Sequence, residues 1–137
     1  MTQAAIFAPM GALALLTFAV LGIIPIRRIR AGRAGRITAD DFRFGESARV
    51  PTEAVLPNRA LVNLLETPVL FYVACLMYFV AGKVDSVALV LAWTYVALRV
   101  VHALIYLTYN RVLHRAVPFV ISNLVLLTLW VMFFGKA

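Results

Sequence analysis

The stretch PNRALVNLLETPVLFY, Pro57 to Tyr72, decides how the chain is read. It opens like a loop and closes as an apolar run that reads as a membrane helix. Between the two stand Arg59, Asn63 and Glu66. At about 100° per residue these three fall within an arc of roughly 60°, one polar stripe on one helix face. Ionisable residues inside a membrane cost about 2.5–3.5 kcal/mol each on insertion scales, so their presence points to a function.

The rest of the chain supports a membrane setting. Hydrophobic residues make up 64% of the 137, and charged residues only 14%. A soluble globule has about half its residues apolar, so this body has too little polar surface to dissolve. The expected class is an all-α integral membrane protein organised as one domain over residues 1–137. The net charge of +7 would raise nucleic acid as a partner in a soluble chain. Here the arginines gather in one loop, where membrane topology explains them, and nucleic acid is set aside. Cys75, the single cysteine, lies in an apolar run and reads as a small buried hydrophobe.

A spanning helix needs about 20 apolar residues. Four segments qualify, at about 4–26, 60–81, 86–108 and 116–135. The first carries no charge and reads as a retained anchor. The loop at 27–59 holds eight arginines, and the third loop adds Arg111 and Arg115, against Lys83 and Lys136 on the other side. That imbalance places both termini outside and the first and third loops in the cytoplasm. The expected location is a bacterial inner membrane. The second loop, GKVD, is short enough to force an antiparallel hairpin. At 33 residues the first loop is expected to carry ordered structure such as an interfacial helix.

A second polar stripe lies on the third span, where Tyr95, Arg99, His102 and Tyr106 again share about 60°. Both stripes fall toward the cytoplasmic end, so they can meet there beside Arg111 and Arg115. One Glu66–Arg99 pair would be simple structural glue. Arg59, Arg99, Arg111 and Arg115, however, share one carboxylate, and the surplus suits a small anionic ligand gripped bidentately. Pro68 is expected to kink the second span and free the carbonyl of Leu64. Pro118 fits the first turn of the fourth span, which would put Arg115 at a positive helix N-terminus suited to an anion or thiolate. No His, Cys and carboxylate set has metal-site spacing, and no metal is expected.

Arg59-x3-Asn63-x2-Glu66, followed by Pro68 and an aromatic apolar run, resembles the second-helix signature of the MAPEG family, the membrane-associated proteins in eicosanoid and glutathione metabolism. RVVHALIYLTYNRVLHR, Arg99 to Arg115, resembles the family's third helix and following loop, most closely in the prostaglandin E synthase branch. The resemblance implies a four-helix subunit in a homotrimer, with glutathione bound between subunits near the cytoplasmic face. It implies that Arg59, Asn63, Glu66, Arg99, His102 and Tyr106 line or support that site, and that Arg115 stabilises the thiolate. Arg111 joins the cofactor-binding set as part of the arginine surplus. The chain departs from the branch at Ala116 and Phe119, where serine and tyrosine hydroxyls would stand. Prostaglandin E synthase chemistry is therefore not expected.

The expected function is a glutathione transferase acting on hydrophobic electrophiles, with reduction of lipid peroxides as an extension. Arg115 and Tyr106 would be catalytic, and Arg59, Asn63, Glu66, Arg99, His102 and Arg111 would hold glutathione. Membrane lipids and a lipid-like substrate are the other expected partners. The rival reading is a non-catalytic membrane subunit that uses the polar seam for assembly or to hold a lipid headgroup. A proton or anion pathway through His102 and the arginines is a third and weaker reading.

Overall fold

The computed structural model describes residues 2–135, and among them the regular structure is helical throughout. A short 3₁₀ turn at Gln3–Ile6 leads into α1 (Phe7–Arg33), and a second 3₁₀ turn lies at Ala39–Phe42. Then come α2 (Thr52–Leu65), α3 (Pro68–Val80), α4 (Ser86–Leu107) and α5 (Val112–Gly135). Four stretches are long and apolar enough to cross a membrane: Gln3–Arg33, Thr52–Val80, Ser86–Leu107 and Val112–Gly135. The second of them is α2 and α3 together. This is an integral, multi-pass membrane protein.

The four-span outline matches the sequence expectation, but the helix ends do not. α1 continues to Arg33 rather than stopping near Ile26, because four arginines and Ala31 in this stretch are good helix formers. α2 starts at Thr52 rather than Ala60, so Pro57 sits inside a helix and not in a loop. Proline there cannot donate to the carbonyl of Glu53. Arg27 supplies the missing donor, with Nη1 on Glu53 O at 3.1 Å and Nη2 on Leu107 O at 3.0 Å. One side chain of α1 thus repairs α2 and closes the C-terminus of α4. α5 begins at Val112 rather than Ala116, which moves Pro118 out of the first turn and into the body of the helix.

α4 is the central helix, packed against α1, α2 and α5. Its face carrying Tyr95, Arg99, His102 and Tyr106 is buried, as the shared arc predicts. α3 meets α4 through large side chains rather than close backbones, with Phe71 stacked on Tyr95 at 4.6 Å. Tyr78 ties α3 to α5 by donating to Leu129 O at 2.9 Å. At the far end, Gln3 brackets Val84: Gln3 Nε2 donates to Val84 O at 3.2 Å, and Val84 N–H donates to Gln3 Oε1 at 2.8 Å. The α3–α4 hairpin turns through Gly82 (φ +65°) and starts α4 with Asp85, whose carboxylate caps Ala88 N–H at 2.8 Å.

The α1–α2 connection is ordered, though a 3₁₀ turn stands where an interfacial helix was expected. Asp41 is its hub. The carboxylate accepts Thr38 N–H at 2.7 Å and the Ser47 hydroxyl at 2.7 Å, while its own carbonyl accepts Ser47 N–H at 2.8 Å. Ala31, Ile37, Val50 and Ala54 form a small core beneath it. Ion pairs Arg28–Glu46 and Arg36–Glu53 close its sides. The Thr38 backbone N–H, then the Ser47 hydroxyl, hold the Asp41 carboxyl below the usual carboxylate range. A depressed folded value stabilises the loop above the ordinary pKa of about 4, and that support is lost as pH falls through the folded value. Asp41→Asn is therefore expected to speed amide hydrogen exchange across residues 37–50 several-fold at neutral pH. The loss of protection on acidification expected of the parent should then be absent from the variant.

Candidate functional site

The polar end of the bundle is organised by an interruption in the second span. α2 stops at Leu65, Glu66 takes φ −85° and ψ −97°, and α3 restarts with Pro68 in its first turn. Proline cannot continue the hydrogen-bond ladder, so carbonyls of the last turn of α2 need other donors. Arg99 of α4, fully buried, donates Nη2 to the carbonyl of Asn63 at 2.7 Å. The carbonyl captured is that of Asn63 rather than the Leu64 carbonyl expected from the proline position. The Nε and Nη1 atoms of Arg99 are buried without a hydrogen-bond partner. Buried donors left unpaired cost about 1–3 kcal/mol each, more when charged.

The Glu66–Arg99 ion pair entertained from the sequence does not form. Among the described residues the ion pairs are Arg28–Glu46 and Arg36–Glu53, and Glu66 is exposed. Glu66 N–H still bonds Val62 O at 3.1 Å, so Glu66 stays on the last turn of α2, and its side chain stands exposed rather than paired with the buried guanidinium.

Asn63, His102, Tyr106 and Arg115 do come together. With Val112, Ala116 and Phe119 they line a cavity of 220 Å³. His102 Nδ1 lies 2.8 Å from the carbonyl of Arg115, and a carbonyl only accepts, so Nδ1 carries the proton. Its Nε2 is buried and without a partner. The Arg115 guanidinium lies 4.2 Å over the Tyr106 ring and donates Nη1 to Asn110 Oδ1. Because α5 starts at Val112, Arg115 remains in its N-terminal region even though Pro118 does not mark the first turn.

Arg59 lines a neighbouring cavity of 430 Å³ with Glu46, Ser47 and Asn110. The two cavities adjoin in two ways. Arg59 and Asn63 are one helical turn apart on α2, roughly 6 Å along its axis. Asn110 lines the larger cavity and bonds the Arg115 of the smaller one. Arg111 and Glu66 are exposed and line neither. Sequence reasoning missed Glu46, Ser47 and Asn110. Glu46 and Ser47 reach the site only through the folding of the connecting loop, which no periodicity reveals. Asn110 left one signal: asparagine between two helices is a residue that tolerates the left-handed region, and it sits there at φ +48°.

The arrangement offers guanidinium groups, an imidazole and an amide converging on adjoining cavities, while Arg99, with Nε and Nη1 buried and unpartnered, lines neither and adjoins the smaller one through Asn63 and Phe119. Such a donor-rich set fits an anionic ligand with carboxylates and a polarisable nucleophile. Among the described residues no group of three or more His, Cys, Asp or Glu side chains stands close enough to hold a metal ion.

The fold and this polar end define a four-span membrane helix bundle with two adjoining cavities lined in part by arginines. The chain belongs to the MAPEG family, whose model matches residues 6–135, nearly its whole length. No curated protein and no solved structure shows significant similarity to it.

Proposed function

We propose that the protein is a membrane-bound glutathione transferase that conjugates glutathione to hydrophobic electrophiles, with reduction of lipid peroxides as a second outlet. The observation that carries this reading is the convergence of Asn63, His102, Tyr106 and Arg115 on one cavity. Glutathione presents two carboxylates, an ammonium and a thiol, and members of the family commonly use it. Arg59 and the free edge of Arg99 are suited to the carboxylates. Arg115 is suited to a thiolate, because a cation beside a helix N-terminus lowers thiol pKa. The Tyr106 ring fixes the Arg115 guanidinium, and its hydroxyl is a second donor to the sulfur.

The reading extends to assembly and topology. A 220 Å³ cavity is smaller than the roughly 300–1,000 Å³ usual for ligand pockets. Glu66 and Arg59 are exposed on a membrane helix, where an unpartnered charge is costly. Both facts favour a site completed by neighbouring copies in a homotrimer, with the basic loops and the site on the cytoplasmic side and the electrophile arriving from the bilayer.

The test is the thermal stability of the detergent-purified protein with and without millimolar glutathione. Ligand at about 100 times its dissociation constant adds roughly 2.7 kcal/mol to the native state. A clear upward shift is expected, sharply reduced in Arg59→Ala. No shift in an intact oligomer would overturn the proposal.

One observation favours a second reading. Ala116 and Phe119 line the cavity and offer it no hydroxyl. A non-catalytic subunit holding a ligand or a lipid headgroup at the same place fits that fact. It requires a thermal shift without product over a broad panel of electrophiles. It also requires Glu66→Gln to dissociate the oligomer, whereas the transferase reading expects mainly a loss of glutathione affinity.

A further inference from the structure

Asn110 is the one residue other than glycine with positive φ among the described residues. Its backbone N–H donates to Ile105 O at 2.8 Å, which closes the end of α4. Asparagine tolerates this left-handed conformation, and glycine would tolerate it better. The backbone alone therefore does not call for an amide side chain here. Yet the side chain is used: Oδ1 accepts Arg115 Nη1, while the face of the same guanidinium rests on the Tyr106 ring. Arg115 is thus fixed by one edge and one face, and its remaining donors are left for the cavity it lines.

We propose that Asn110 is the positioning residue for Arg115, and that a neutral acceptor is what the site requires. An amide oxygen orients a guanidinium without cancelling its charge. A carboxylate at the same place would orient it equally well and neutralise the field it projects into the cavity. This inference rests on the glutathione reading, since the field acts on a bound thiol.

The titratable or charged groups near the Asn110–Arg115 contact include His102 and Tyr106 of α4, Arg59 and Glu46 across the cavity that Asn110 lines, and Tyr109, Arg111 and His114 beside it in the chain. None is replaced by a change at position 110, and Asn110→Gly adds no charge to the cavity that Asn110 shares with Glu46 and Arg59. Differences among variants at that position therefore report on the Asn110–Arg115 contact.

The experiment is a pH titration of the thiolate ultraviolet absorbance of glutathione bound to the detergent-solubilised full chain, for the parent, Asn110→Gly and Asn110→Asp. Parallel steady-state kinetics use glutathione and an activated aryl halide. Asn110→Gly keeps the left-handed turn and loses the acceptor. It is expected to fold normally, to bind glutathione with little change, and to lose kcat by about tenfold to a hundredfold, as small misplacements of a catalytic group do. Asn110→Asp is expected to keep Arg115 in place and to raise the ionisation midpoint of the bound thiol by about one pH unit or more.

Identical midpoints and kcat in all three proteins would overturn the proposal and assign Asn110 a backbone role alone. A parent that binds glutathione with an unshifted thiol would also overturn it, while leaving glutathione binding intact. A parent that shows neither a thermal shift nor a bound thiolate signal would overturn the glutathione reading itself, and the parent alone reports that.

Discussion

Arg115→Met is expected to lower kcat for glutathione conjugation by about 10²–10³ while leaving the melting temperature and the glutathione-induced thermal shift largely in place. The magnitude is that of removing one preorganised donor from a developing or resident anion. The split between turnover and binding follows from geometry. Arg115 sits half-buried on the cavity wall, its side chain held by Asn110 and the Tyr106 ring, outside the apolar core of the bundle. Its main-chain carbonyl, which accepts His102 Nδ1, survives any substitution of the side chain. Methionine keeps much of the apolar stem and removes the guanidinium, with its charge and its donors. Steady-state kinetics at several glutathione concentrations give the check: a raised KM with unchanged kcat would make Arg115 a binding group and not a thiolate stabiliser.

The second large effect is expected at Arg99, in the opposite pattern. Arg99→Met should leave a folded bundle but remove most of the glutathione-induced stabilisation, and Arg99→Ala should fold poorly. Arg99 is fully buried and caps the Asn63 carbonyl at the end of α2. Either substitution leaves that carbonyl unpaired, at about 1–3 kcal/mol. Alanine adds the cavity left by a long buried side chain, which brings the total to about 3–5 kcal/mol. Methionine fills most of that space and also removes a desolvated cation, a change that is often nearly neutral. Losing hydrogen bonds from a charged donor at about 1.5–3 kcal/mol weakens the ligand by roughly 10- to 150-fold. Denaturant or thermal unfolding of the two variants, with and without glutathione, separates the contributions. Full ligand response in Arg99→Met would reduce Arg99 to a helix cap.

How far this was legible in the sequence differs from residue to residue. The four spans follow from long apolar runs. The buried stripe of α4 follows from 3.6-residue periodicity, since Tyr95, Arg99, His102 and Tyr106 all point inward. The break in the second span was announced by Pro68. Less was readable wherever a long-range partner decides the local outcome. Pro57 looks like a loop residue, but Arg27, 26 positions before Glu53, supplies the donor that lets helix continue around it. Glu66 shares the arc of Arg59 as read, but Arg99 is spent on the Asn63 carbonyl and Glu66 is left exposed. Glu46 and Asn110 entered the site through chain folding that no single-helix pattern encodes.

The break at Glu66 has a consequence for how the second span can change in length. In an uninterrupted helix one added residue turns everything beyond it by about 100° and shifts it by 1.5 Å. Here the ladder stops at Leu65 and restarts at Pro68, with Arg99 anchoring the first segment and Tyr78 the second. A change of length in α3 is absorbed at the joint. The α3 end of the span can thus be fitted to a thicker or thinner bilayer, each ångström of mismatch costing a fraction of a kcal/mol, without rotating Arg59 or Asn63 out of register.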